Sequence, residues 1–412
     1  MSDIDVRAIR DDELTDYLRC LGIAFHFGST VSDERLAFAR EYYTDISRRL
    51  GAFVAGSLCG TAASFAAQLT VPGERTVPCA AVTQVTVLPT HRRRGLLGAM
   101  MKPQLHDAIE RGEVAAMLIA AEWPIYGRFG YGMATEAAAT IVDAETAEFR
   151  DPTLEGSIEL VDPAALAELA PEPFDRHRIT SPGAIDRKEK LWPLYADVVS
   201  REGMEPPKNR ARVMHRDPSG VVDGYAVYDP SDKWEHNRPR VTLSVGELIA
   251  ATPSAWRDLW RYLCAVDWVT EVRANVRAVD EDVRPQLVNG RAARQADRSD
   301  HMWVRLLDVP AALDARRYEV PVRIVLDVRD PYLDRGGRFL LDGGPDGATC
   351  RPTDKEPDLS VGIDVLGAAY LGGSRLDGYL LAGRVDEHTD GAVAALDRGM
   401  RTSSAPWATT GF

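Results

Sequence analysis

A run of small and β-branched residues, Ala80-Ala81-Val82-Thr83-Gln84-Val85-Thr86-Val87, ends at Leu88-Pro89-Thr90-His91 and passes directly into Arg92-Arg93-Arg94-Gly95-Leu96-Leu97-Gly98. The first part predicts a buried strand, and Pro89 stops it. Leu97, Met100, Met101, Leu105, Ala108 and Ile109 then recur on one face of a helix that stops at Gly112. Pro103 inside this helix predicts a kink, since an interior proline costs about 3 kcal/mol. A strand feeding a helix through a short cationic turn sets free helix N–H groups and a positive dipole end beside three guanidinium groups, and such a cradle binds phosphate oxygens. Gly95 lets the backbone approach an anion closely. The strand end adds N–H and C=O groups for an extended, amide-containing ligand. Together these suit a pantetheine arm ending in a pyrophosphate: Val85, Thr86 and Val87 for the arm, and Arg92, Arg93, Arg94, Gly95, Leu96, Leu97 and Gly98 for the phosphates. An ordinary basic turn has the same spacing, so spacing alone does not separate the two.

The rest of the chain places this stretch in a mixed α/β (α+β) domain. A strand at Val6 to Arg10 precedes a helix carrying Leu14, Tyr17, Leu18 and Leu21, and a second helix runs from Ser32 to Tyr42. Strands at Gly51 to Val54 and Thr61 to Val71 lead into the run above, and Val114 to Ala121 follows its helix. Residues from about 155 to 300 repeat a similar order without similar sequence. They include a strand at Ile158 to Val161, a helix at Ile185 to Tyr195, strands at Val222 to Tyr228 and Val241 to Ile249, and a helix started by Thr252-Pro253-Ser254. Further strands are expected at Glu271 to Val276, Met302 to Leu307 and Val322 to Val328. Three units result, 1–145, 146–305 and 306–412. His215-Arg216-Asp217 matches a kinase catalytic-loop triplet, but without the rest of that set it reads as a turn before Pro218-Ser219-Gly220.

Composition excludes several classes. Of 412 residues, 45% are apolar and 27% charged, which is ordinary for a soluble globular chain and unlike a disordered or disulfide-scaffold protein. No stretch approaches the roughly 18 apolar residues of a membrane span. Met1-Ser2-Asp3-Ile4-Asp5 lacks the basic and apolar regions of a secretion signal. Five scattered cysteines with no C-x-x-C fit reduced thiols, and the expectation is a cytoplasmic protein. A net charge of −13 has the wrong sign for a nucleic-acid or anionic-membrane binder and favours cationic ligands such as amines. No histidine or cysteine spacing points to a metal.

Arg92-Arg93-Arg94-Gly95-Leu96-Leu97 resembles the acyl-CoA signature of GNAT N-acetyltransferases, Arg/Gln-x-x-Gly-x-Gly/Ala, with Leu97 in place of the small residue. The wider wording from Val87 to Leu97 is similar to the Eis (enhanced intracellular survival) branch. A second stretch supports this: Ala121-Glu122-Trp123-Pro124-Ile125-Tyr126-Gly127-Arg128-Phe129-Gly130-Tyr131-Gly132 resembles the Eis segment whose tyrosine is the general acid. The resemblance makes Tyr126 the proton donor to the departing coenzyme A thiolate, with Ala121 and Glu122 beside the cofactor. It also makes the terminal carboxylate of Phe412, the last residue, the general base. It implies tandem GNAT-like domains, the second without the CoA motif, followed by a sterol-carrier-protein-like domain. Asp358 to Gly373 resembles the strand-then-helix end of that domain.

The implied activity is acetyl-CoA-dependent acetylation of amines on cationic small molecules, aminoglycosides foremost, possibly at several positions; the implied assembly is a homo-hexamer, with no metal. The wider reading is antibiotic resistance. Candidate pocket residues His26, Phe27 and Gln84 are not acidic, so aminoglycoside specificity does not carry over residue by residue. Two alternatives remain open, a protein-lysine acetyltransferase and an apolar-ligand binder with a vestigial GNAT site.

Overall fold

The computed structural model describes residues 4–43, 45–200 and 205–412, so Met1 to Asp3 of the acidic opening lie outside the described residues. Contacts along the chain divide it into two compact units. One runs to Thr135 and resumes from His301 to Phe412; the other is Glu136–Asp300. Among the described residues no helix is long and apolar enough to cross a membrane. The five cysteines are unpaired.

The first unit opens with β1 (Ile4–Ala8) and α1 (Leu14–Ala24), whose Leu14, Tyr17, Leu18 and Leu21 form one buried face. The Ser32 hydroxyl accepts the Arg35 N–H and starts α2 (Asp33–Tyr42). β2 (Arg49–Val54), β3 (Ser57–Val71) and β4 (Arg75–Val87) continue an antiparallel ladder from β1. α3 (Leu96–Glu110) then returns the chain to β5 (Ala115–Ile119), which lies parallel to β4. Pro103 lies within α3, on its exposed face.

The next strand in space comes from far along the chain. Met302–Leu306 pairs antiparallel with β5, from Met302 opposite Ile119 to Leu306 opposite Ala115, and the two-residue β6 (Gly132–Met133) lies outside it. The strand Glu136–Asp143 belongs instead to the sheet of the second unit. The units therefore change at 135/136 and 300/301 and not at 145 and 305: Glu136–Asp143, expected in the first unit, is in the second, and Met302–Leu306, which a boundary at 305 would divide, is in the first. The C-terminal region adds a five-stranded sheet ordered 347–352, 337–344, 322–329, 359–362 and 385–387. Helix Ile363–Ala369 follows strand Leu359–Gly362 in the expected strand-then-helix order.

The second unit is a seven-stranded sheet with its own apolar core around Val213, Leu243, Leu259, Trp260 and Val272. Its strands Val241–Ala250 and Val269–Arg277 run parallel, joined by helix Pro253–Ala265, whose first turn Thr252 caps. Their pairing stops at Val245 opposite Ala274, and the gap beyond is filled from within. Arg277 Nη1 donates to the Leu248 carbonyl at 2.7 Å, and its Nε and Nη2 meet the Glu281 carboxylate at 2.6 and 3.0 Å. Trp256 and Trp260 also donate to Glu281, at 2.7 and 3.1 Å. Burial pushes the Glu281 carboxyl up, but the Arg277 charge and these four donors outweigh it and hold it below the usual range.

Removing one partner strands a buried charge, so Glu281→Ala should destabilise the second unit by about 3–5 kcal/mol. Urea unfolding followed by tryptophan fluorescence checks this. An unchanged first transition would show that the pair is dispensable.

Ile185 to Tyr195 is not one helix: only a 3₁₀ turn at Glu189–Leu191 and a single α-turn at Trp192–Tyr195 form. Arg187 explains the difference. Its guanidinium lies over the rings of Phe174 and Tyr195 at 4.2 and 4.1 Å and pairs with Glu247, which pulls the backbone out of helical register. His215 is not in a turn but fully buried at the end of strand Ala211–Arg216, bridging Asp223 at 2.5 Å and Asp258 at 2.9 Å. The turn starts at Asp217, whose carboxylate accepts the Ser219 and Val221 N–H groups.

His177 is half-buried, with Nδ1 3.1 Å from the Ala250 carbonyl. Burial, with Arg277 nearby, lowers it to about 4. The unfolded imidazole titrates near 6.5, so the stability this group contributes is complete above that pH and is lost as pH falls towards 4. The loss should reach about 3 kcal/mol, and His177→Gln should flatten the acid limb of a Tm-against-pH curve.

Candidate active site

β4 and β5 form a fork. Their parallel pairing covers Cys79 with Ala115, Ala80 with Ala116 and Ala81 with Met117, and stops there, while β4 continues for six residues. On its other side β4 stays with β3, but with a bulge: Ala63 faces Thr83, Thr61 faces Thr86, and Gln84 between them adopts a left-handed φ of 54°. Polar contacts lock the bulge. The Thr61 hydroxyl donates to the Gln84 carbonyl at 2.7 Å and lies 2.7 Å from the Thr86 hydroxyl, and Tyr17 donates to the Gln84 amide oxygen at 3.1 Å. Thr86 and Val87 are thus paired with β3, Val85 lies in the bulge, and none of the three pairs with β5, which leaves an open edge for an extended amide chain.

Arg92 to Gly95 form an exposed turn at the top of the fork. Arg93 has φ 62° and Gly95 φ 87°, and Gly95 is the N-cap of α3 with no side chain occupying the first-turn amides. A β-carbon at Gly95 would meet no atom within 4 Å, so the glycine is there for its backbone conformation and not for packing room. Leu96 is buried below, Leu97 and Gly98 are half-buried, and the first intrahelical bond is Ala99 N–H to Gly95 C=O. Among the described residues no ion pair engages Arg92, Arg93 or Arg94, whereas most other arginines are in one. The turn is an uncommitted cationic cradle over free helix N–H groups.

Ala121, Glu122 and Trp123 are exposed where β5 ends, and Tyr126 is buried beyond them. Tyr126 shares an apolar cluster with Val82 and Val85 of β4 and Leu97 of α3, so it closes the fork from the β5 side. Its carbonyl accepts the Phe129 N–H at 2.9 Å, and Arg305 reaches from below to donate to the Phe129 carbonyl at 2.6 Å. Arg305 is fully buried and its other arm meets Asp330 at 2.5 Å. A β-carbon on Gly130 would fall 1.6 Å from that guanidinium, so only glycine allows the turn to close over it. Burial, then the Glu122 charge, pushes the Tyr126 phenol up to about 12.

The chain end comes to the same place. Pro406, Trp407, Ala408 and Thr410 are buried, and the Phe412 ring stands edge-on to Phe65 with centroids 5.2 Å apart. A β-carbon on Gly411 would lie 3.9 Å from Ile119, the last residue of β5. Phe65 faces Ala81 across the sheet, and Ala81 faces Met117. The terminal residue is therefore anchored on the last closed rung of the fork.

The expected residues from Val85 to Gly98, Tyr126 and Phe412 thus gather around one opening. Ala121 and Glu122 lie on the turn leading to it. Gln84 forms the bulge, while His26 and Phe27 lie in the exposed turn after α1, where the Phe27 ring is tilted against that of Phe25 with centroids 5.9 Å apart. Phe65, Arg305 and Tyr332 were not marked by any sequence signal, because each acts through a partner far away in the chain.

Comparison with known proteins agrees with this architecture. Residues 5–134 match the family of GNAT acetyltransferase domains, residues 183–316 a second acetyltransferase (GNAT) domain family, and residues 309–409 the sterol carrier protein domain. The chain is 41% identical over 410 residues to an uncharacterised N-acetyltransferase of Streptomyces avermitilis, covering 98% of each. It is 36% identical over 360 residues to the N-acetyltransferase Eis of Mycobacterium tuberculosis, covering 85% of this chain and 84% of that one. The crystal structure of Eis1 from Mycobacterium abscessus superposes with a TM-score of 0.87 at 34% identity over the full length of both. A GCN5-related N-acetyltransferase from Anabaena variabilis shares the fold, with a TM-score of 0.84 at 16% identity.

Proposed function

This chain belongs to the Eis family of N-acetyltransferases, and from that premise we propose that it carries the acetyl group of acetyl-CoA to the amines of cationic small molecules, aminoglycosides foremost. The observation that supports this most directly is the rung Phe65–Ala81–Met117: the cofactor fork opens immediately beyond it and the chain terminus is anchored upon it. In this reading the pyrophosphate sits on the α3 amides among Arg92, Arg93 and Arg94, and the pantetheine lies along Val87 to Val85. Ala121 and Glu122 flank the thiol end.

The Phe412 carboxylate takes a proton from the acceptor ammonium, directly or through water. The freed amine attacks the thioester carbon, and an N–H near Val87 stabilises the oxyanion. The C–S bond then breaks as Tyr126 gives its proton to sulfur, and the surplus proton on the acylated nitrogen passes through water to restore the phenol. Homo-hexameric assembly and a cytoplasmic location belong to the same reading.

Thiol release from acetyl-CoA with aminoglycosides, polyamines and lysine peptides, corrected for the protein's own cysteines, tests it. Release with several aminoglycosides is expected. Activity confined to peptides would move the acceptor to protein lysine, and silence across the panel, with co-purified lipid, would favour an apolar-ligand binder.

A further inference from the structure

We propose that the cavity between the Gly127–Gly130 turn and the C-terminal sheet seats the 3′-phosphate of acetyl-CoA, so that the sterol-carrier-like region completes the nucleotide site. The proposal rests on the acetyl-CoA reading above. The cavity measures about 350 Å³, within the range of small-ligand pockets, and is walled by Arg128 and Gly130 on one side and Arg329, Tyr332, Asp364 and Arg384 on the other.

Its position follows from contacts with α3. The Tyr332 hydroxyl donates to the Gly98 carbonyl at 3.2 Å, and the Phe129 ring stands edge-on to Tyr332 at 5.1 Å. The same ring lies 4.0 Å from where a β-carbon on Gly98 would be. The free amides of α3 belong to Leu96, Leu97 and Gly98, so a pyrophosphate held there lies about one side chain from the cavity wall. With the pantetheine laid along β4, the ribose phosphate is the part of the cofactor left to reach Tyr332 and Arg128.

The charge is suitable. Arg128 lies over the Phe129 ring at 4.9 Å and is in no ion pair among the described residues. Arg384 pairs with Asp364 at 2.6 Å and Arg329 with Asp386, and both arginine side chains are half-exposed. Such pairs are weak and can exchange a carboxylate for a phosphate dianion, which accepts more and stronger bonds. Asp330, the remaining acid on the wall, is committed to Arg305.

Calorimetric titration of the full chain with coenzyme A and with dephospho-coenzyme A, which lacks only the 3′-phosphate, tests the proposal. Wild type should prefer coenzyme A by at least about tenfold, the worth of a charge-assisted hydrogen bond. In Arg128→Ala and Arg384→Gln the preference should shrink towards unity. Dephospho-coenzyme A affinity should move less than about twofold, and so reports a folded site. A wild-type preference that survives both substitutions, or no preference in wild type, overturns this proposal alone. No binding of either nucleotide overturns the acetyl-CoA reading and this proposal with it. Inorganic phosphate competing with coenzyme A but not with dephospho-coenzyme A supports the cavity as the phosphate seat.

Discussion

A chain that ends at Gly411 should lose at least about a hundredfold in kcat, while its dissociation constant for acetyl-CoA changes less than about threefold. The truncated chain still ends in a carboxylate, but one residue earlier, about 3.8 Å away along the backbone. Misplacement of a reacting group by a single ångström can cost about a hundredfold. The loss should be local because Pro406 to Ala408 and Thr410, the residues that lead up to the chain end, are themselves buried. Appending one glycine after Phe412 should be as damaging, although the ring keeps its edge-on contact with Phe65. Phe65→Ala should do less harm, since it removes an aromatic contact of about 0.5–1.5 kcal/mol but leaves the carboxylate on the right residue. Thiol-release kinetics with calorimetry on the three variants checks this ordering. Full activity in the shortened and the extended chains would remove the terminal carboxylate from the mechanism.

The strand-turn-helix from Ala80 to Glu110 was legible because its signals are local: β-branched residues, Pro89, and the apolar spacing after Gly95. So were the helices begun by Ser32 and Thr252, whose caps act within three residues. Long-range pairing was not. Met302 to Leu307 read as a strand and Glu136–Asp143 was not singled out, and nothing in a strand-like pattern says which sheet receives it. The bulge at Gln84 was hidden for a different reason: glutamine has no preference for a left-handed φ, and the hydroxyls that hold it come from Thr61 and Tyr17. The second unit shows the same limit from the other side. The missing cofactor motif after residue 150 was visible, yet the buried Arg277 and Glu281 that fill its strand gap read as ordinary charged residues until Leu248 and the two tryptophans were placed against them.

Tyr126→Phe should lower kcat by about 10²–10³ and leave the acetyl-CoA affinity almost unchanged, since the ring keeps its place in the apolar cluster and only the proton is lost. The pH profile gives a sharper test. An ordinary tyrosine would lose its proton near pH 10. Burial and Glu122 move the Tyr126 phenol to about 12, so wild-type kcat should show no loss from this group up to about pH 10.5. The raised value looks unfavourable for a proton donor, because a free thiol titrates near 8.5. Burial, however, penalises every anion: a coenzyme A thiolate formed in the same closed fork is also desolvated and becomes a stronger base. Donor and acceptor therefore rise together, and the transfer stays feasible without a tyrosinate ever being stable in the free enzyme. Glu122→Gln removes a charge that helps hold the phenol up, so an alkaline decline should move to lower pH in that variant. An alkaline limb at the same pH in wild type, Glu122→Gln and Tyr126→Phe would assign it to another group and leave Tyr126 with no part in protonating the thiolate.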